Sequence, residues 1–236
     1  MNKKTRNWIV AGAAAVILVG AGGYAYMDDY LGNRVEITEA IPASGSAANA
    51  SANEGNVEQA TVGAEQLNGV WNIAEESKVY FSVTTSRETV NFENAAVGGS
   101  WTIQLDQPEN MKAEGTLEMS EVNSGNTQRD GHIQSADYFN VAQFPQAAFT
   151  AASFEGLPEA WEEGAVYDFR MAGTLSVKGI DKEATFDGQA LYQNNQVRLS
   201  GTTTVTFADF GMQNPHSVVL ETENDIAVRL ELVLEK

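Results

Sequence analysis

Two histidines, His132 and His216, are the only imidazoles in a chain of 236 residues that has no cysteine. Arg129-Asp130-Gly131-His132, followed by Ser135 and Asp137, supplies the residue types of a nucleophile, a base and an acid. Members of such sets converge from separate elements, and no serine here sits in Gly-x-Ser-x-Gly. The same residues also spell a turn in which Arg129 and Asp130 pair and cap, with His132 a surface hydrogen-bonder. Neither histidine has a second at ligand spacing, and zinc asks for three or four convergent ligands. Glu159, Glu162 and Glu163 cluster in a Pro/Gly setting typical of solvated loops. Without cysteine there are no disulfides, thiolate metal sites or cysteine nucleophiles. Nothing in the sequence calls for a cofactor, and the chain is read as a non-enzyme.

A second group of residues suits binding rather than reaction. Phe81, Leu117, Met119, Phe139, Phe144, Phe149, Phe169, Met171, Phe207, Phe210 and Met212 carry more aromatic and thioether bulk than a minimal core requires. Flat phenylalanine and flexible methionine walls can re-pack around an apolar chain, and they can equally fill a solid core.

The elements that must position these residues are strands. Trp101, Ile103 and Leu105 alternate, as do Tyr167, Phe169, Met171, Leu175 and Val177. Val197, Leu199, Val205 and Phe207 form a third run, and Ile226, Val228, Leu230, Leu232 and Leu234 a fourth. Period two predicts strands with one dry and one wet face. Asn194-Asn195 and Lys178-Gly179-Ile180-Asp181 separate such runs as hairpin turns. Only Ser135–Phe139 reads as locally helical, with Ser135 as its cap. About eight strands in residues 67–236 predict one all-β antiparallel domain, a barrel or a sandwich. An eight-stranded barrel has an interior just wide enough for side chains or one small ligand.

Charge organises the rest. The balance of 14 Lys and Arg against 32 Asp and Glu leaves −18, which disfavours a nucleic-acid partner. Lys3, Lys4 and Arg6 precede an uncharged run from Trp8 to Tyr26, with Asp28 and Asp29 just after it. At ~1.5 Å per residue that run reaches ~28 Å, enough for a signal-anchor over residues 1–28, with a cleaved signal as the alternative. The basic flank places the remainder outside the cytoplasmic membrane. Residues 29–66, rich in Ala, Ser, Gly and Glu, are expected to be a flexible tether.

The stretch Arg129–Phe149 resembles the YceI-like family of lipocalin-like, polyisoprenoid-binding bacterial envelope proteins. It carries Arg129-Asp130, His132, Ser135, Asp137, Tyr138-Phe139-Asn140-Val141 and Phe144-Pro145. Trp71-x-Ile73 with Ser77-x-Val79-x-Phe81, Gly173-x-Leu175-x-Val177-x-Gly179-Ile180 and Asp209-Phe210-Gly211-Met212 agree in order. After the first strand the family often has Asp-Pro-x-His-Ser, of which only Ser77 remains. The basic residue often found two places before Phe210 is absent. The resemblance implies an eight-stranded lipocalin-like barrel with a short helix and a long apolar tunnel for an isoprenoid or other long-chain amphiphilic lipid. It places Phe81, Leu117, Met119, Phe139, Phe144, Phe169, Met171, Phe207 and Met212 on the tunnel, and Arg129, Asp130 and His132 as motif polar residues. The expected partners are that lipid, the cytoplasmic membrane through the N-terminal helix, and a second copy in a homodimer. With few bases to receive a pyrophosphate (Lys112, Arg129, Arg170, Lys178, Lys182, Arg198), a neutral head such as a quinone or fatty amide fits better. The rival readings are a tethered interaction module with a solid core and an envelope hydrolase using His132.

Overall fold

The computed structural model describes residues 32–42, 61–215 and 221–236. The predicted signal-anchor and His216 lie outside them. Among the described residues no helix is long and apolar enough to cross a membrane.

Twelve strand segments build the fold: β1 (Thr61–Val62), β2 (Gly69–Ile73), β3 (Lys78–Thr85), β4 (Thr89–Asn94), β5 (Val97–Ile103), β6 (Lys112–Glu118), β7 (Gln146–Glu155), β8 (Trp161–Glu162), β9 (Val166–Val177), β10 (Ile180–Gln193), β11 (Gln196–Thr206) and β12 (Thr222–Glu235). β2 and β3 lie along one edge of β12, and β5 and β4 pair with them in turn, so each couple is one long interrupted strand. Eight antiparallel strands therefore follow one another around a wall. β12 closes it by pairing with β11 on one side and with β2 and β3 on the other. This decides between barrel and sandwich: the barrel is closed and its eight strands have no free lateral edge.

The interruptions have local causes. Between β2 and β3, Ser77 Oγ donates to Val233 O and accepts from Val233 N, each at 3.0 Å, so the chain bulges without losing β12. Between β4 and β5, buried Asn94 donates to Glu118 O and accepts from Ala96 N. Both predicted hairpin turns are present. Lys178-Gly179 has φ 54° and 72°, and Asn194-Asn195 has φ 54° and 61°. Positive φ at both central residues is what tight hairpins with native strand twist require.

Two expectations are corrected. The helix is α2 (Thr127–Gln134), not Ser135–Phe139, because Asn126 Oδ1 accepts from Gln128 N and Arg129 N and so starts the helix earlier. Ser135 is its C-terminal cap. A single-turn helix, α1 (Ala64–Leu67), precedes β2 and buries Leu67 completely. Residues 32–42, expected within the flexible tether, instead run as an extended strap on the outside of the barrel. Val35, Ala40 and Ile41 are buried there, and the strap backbone bonds to Asn91, Tyr80, Glu231 and Arg198. Those bonds supply the enthalpy that composition alone did not reveal. The strap also explains why the outward residue Glu231 is only 3% exposed, where alternation predicts a wet face.

Candidate functional site: the barrel interior

The interior has three levels. At one end it is plugged by Trp71, Trp101, Trp161, Phe169 and Leu67. Trp101 stacks on Phe154 at 5.4 Å and on Phe169 at 6.0 Å between ring centroids, and Trp71 meets Tyr192 edge-on. α1 and the small β1–β8 sheet lie against this end, with Val62 and Trp161 buried.

The opposite end, under α2, holds Phe81, which stacks on Phe92 at 4.7 Å and meets Phe139 edge-on at 5.6 Å. Met119 packs beside Phe92, Val90 and Val122. Phe207, Phe210, Met212 and Ile226 form the adjoining cluster.

Between the two ends is a cavity of about 90 Å³, lined almost wholly by apolar side chains. Three of the bulky residues named from the sequence, Leu117, Phe149 and Met171, line it. The remaining named residues do not. Phe169 belongs to the plug, while Phe81, Met119, Phe139, Phe207 and Met212 close the α2 end. Phe144 lies on the β9–β10 turn, so near Gly179 that a Cβ there would come within 2.6 Å of its ring. The rest of the lining is Trp101, Phe186 and otherwise mostly aliphatic or small residues, among them Ile73, Val97, Ala113, Gly115 and Leu230. Alternation in β12 already marked Val228, Leu230, Leu232 and Leu234 as one face, and that face is the cavity wall.

The motif polar residues do not reach this cavity. Arg129 is buried with its Nε on Ser124 Oγ at 2.9 Å and both terminal nitrogens on Gly32 O at 3.1 Å. Its guanidinium also lies 5.8 Å from the Phe92 ring centre. Asp130 accepts from Ser124 N and Oγ. The pair therefore latches the strap to the start of α2. His132 is exposed and meets Tyr138 edge-on at 5.0 Å. Ser135 Oγ is buried without a hydrogen-bond partner among the described residues, so no hydroxyl–imidazole bond is formed there. Among the described residues no three His, Asp or Glu side chains converge as metal ligands.

The six bases are dispersed as well. Arg170 pairs with Asp187 at 2.8 Å, Lys182 with Asp209 at 3.4 Å, and Arg198 donates to Ala40 O and Gln196. Lys112 lines a separate groove with Glu109 and Thr150. Lys178 sits on the β9–β10 turn.

Asp209 holds the α2 end together. It accepts from Thr206 N and Oγ, each at 2.8 Å, in a capping box that starts the turn carrying Phe207 and Phe210. The Thr206 hydroxyl bond, then the backbone bond, holds its carboxyl below the usual 3.8, with Lys182 adding to this. A depressed carboxylate contributes stability that is complete above its unfolded pKa and lost as pH falls through the folded value. Asp209→Asn is thus expected to cost about 1 kcal/mol near neutrality. That difference from wild type should shrink as urea-unfolding midpoints are measured below pH ~4.

A family model described as the YceI-like domain matches residues 71–234. The chain belongs to the YceI-like family. Among its YceI-like relatives, a UPF0312 protein of Pseudomonas putida is 26% identical over 136 residues, 55% of this chain and 67% of that protein. Protein YceI of Salmonella arizonae is 31% identical over 97 residues, 41% of this chain and 47% of that protein. Two solved structures share the fold at 15% identity and a TM-score of 0.57. A polyisoprenoid-binding domain from Saccharophagus degradans, implicated in plant cell wall breakdown, matches 70% of this chain and 97% of that one. BcnA of Burkholderia cenocepacia matches 67% and 96%.

Proposed function

We propose that this chain binds an isoprenoid or similar long-chain lipid by apolar burial in its YceI-like barrel, without chemistry, while tethered outside the cytoplasmic membrane. The observation that carries this reading is the interior cavity walled by aliphatic side chains from all around the barrel. The polyisoprenoid-binding neighbour of the same fold supports it. The basic flank at Lys3, Lys4 and Arg6 before an uncharged run supports the topology.

Each buried methylene contributes ~0.8 kcal/mol, so a chain that threads the barrel needs few polar contacts. The volume sets a condition. An apolar cavity of ~150 Å³ holds one benzene, so 90 Å³ admits a long chain only if Met171, Leu117 and the phenylalanines of the α2 end move aside. Methionine and leucine have the rotamer freedom to do so. The same small volume favours the second reading, a solid interaction module whose interior never opens.

One experiment separates them. Ala113, opposite Trp101 in the β5–β6 ladder, lines the cavity, and Ala113→Leu puts three further carbons into it. Organic extraction of the purified full chain should give about one apolar lipid per chain by mass spectrometry. The folded Ala113→Leu protein should lose it about tenfold, the worth of two buried methylenes. The lipid-bearing chain should be in the membrane fraction and open to protease added outside. Lipid-free wild type supports the solid module instead, and unchanged lipid in folded Ala113→Leu places the lipid outside this cavity.

A further inference from the structure

Three tryptophans lie in the plugged end, and two have satisfied indole N–H groups: Trp71 Nε1 donates to Leu67 O at 2.7 Å and Trp161 Nε1 to Pro158 O at 3.1 Å. Trp101 differs. It is 2% exposed, it lines the cavity, and its Nε1 is buried with no hydrogen-bond partner among the described residues. Leaving a buried donor unmet costs ~1–3 kcal/mol, and native interiors rarely tolerate it without a role. Stacking on Phe154 and Phe169 fixes the ring, so the N–H does not turn away to find a partner.

The geometry points to Trp101 Nε1 as the specificity-determining donor of the cavity, recognising a ligand whose inserted end carries an uncharged acceptor oxygen such as a carbonyl. The oxygen is uncharged because no Lys or Arg is among the cavity-lining residues, and an anion carried to that depth would be unpaired. The ligand therefore enters oxygen first, with its hydrocarbon running towards the α2 end. This assignment rests on the lipid-binding reading and adds the chemistry of the recognised group.

The test uses delipidated full chain with two probes of equal carbon number, geranylacetone and the hydrocarbon in which its carbonyl is a methylene. Wild type is expected to bind the ketone about tenfold more tightly, the worth of one hydrogen bond that satisfies a buried donor. The Trp101 indole proton, identified by its loss in Trp101→Phe, should move downfield with the ketone and not with the hydrocarbon. Trp101→Phe, and site-specific benzothienylalanine at 101 to keep both fused rings without the N–H, should bring the preference within about twofold. A tenfold preference persisting in either folded variant, equal binding of both probes by wild type, or an unmoved Trp101 resonance overturns the assignment while leaving lipid binding intact. Binding of neither probe overturns the lipid-binding reading and the assignment with it.

Discussion

Gly99→Ala is expected to remove a large part of the barrel's stability. Gly99 has φ +134°, a conformation that residues with a Cβ rarely adopt, and it lies directly opposite Gly115 across the β5–β6 ladder. A Cβ there would sit 2.1 Å from Glu114 O and 2.8 Å from Gly115 Cα. Both are backbone atoms, so relief requires parting the strands, and a closed barrel has no loose edge to part. The cost should exceed about 4 kcal/mol, against a total stability of ~5–15 kcal/mol for a domain. Gly131→Ala is the control: in the middle of α2, with nothing within 4 Å of an added Cβ, it should raise stability by about 0.5–1 kcal/mol. Urea midpoints, or solubility where Gly99→Ala does not fold, make the comparison. A Gly99→Ala protein as stable as Gly131→Ala would show that the wall yields there.

The same wall shows how the binding space is made. Val97, Ala113, Gly115, Ala147 and Ala148 line one side of the cavity, and it is their smallness that leaves room. Counting aromatic and methionine bulk in the sequence picks out the residues that close the two ends, since large side chains fill space. Of that set only Leu117, Phe149 and Met171 face the gap itself. A cavity lies where side chains stop short, and that depends on which small residues face one another across strands, a question of register.

Register was legible only in part. The β9–β10 and β10–β11 hairpins could be read because each is fixed by a two-residue turn, and alternation then assigns every inward face between them. The breaks between β2 and β3 and between β4 and β5 could not, because each depends on a buried polar side chain, Ser77 or Asn94, bonding to a distant strand. Family resemblance marked Ser77 without saying what it does. α2 has no apolar stripe to announce it, and Asn126 was its readable signal. The motif Arg129-Asp130 spells both a triad fragment and a capping turn, and its bonds to Gly32 and Ser124, which spacing does not reveal, make it a latch.

Glu231→Ala is expected to release the strap that this latch begins. Glu231 Oε2 accepts from Ala40 N at 2.6 Å, and Oε1 accepts from Ser200 Oγ at 2.8 Å and from Arg229 Nε. Arg229 in turn reaches Glu39 on the strap at 3.1 Å. One carboxylate, 3% exposed, thus satisfies donors from the strap, β11 and β12 together. Truncating it leaves Ala40 N and Ser200 Oγ covered without an acceptor and leaves Arg229 with only Glu39. At ~1–3 kcal/mol for each buried unmet donor, and discounting Arg229 for its solvent exposure, the loss should be about 2–4 kcal/mol. Glu231→Gln keeps one oxygen while turning an amide donor towards another donor, so it should fall between. Release of the strap has its own readout, because Glu36 and Glu39 are cleavage points for a glutamate-specific protease. In wild type, backbone bonds at Thr38 and Ala40 hold that segment extended on the barrel, and cleavage there should be slow. In Glu231→Ala it should become fast under conditions where the barrel itself stays folded. Loss of global stability with no gain in strap cleavage would assign Glu231 to the β11–β12 seam alone, whereas gain of both places it as the joint between strap and barrel.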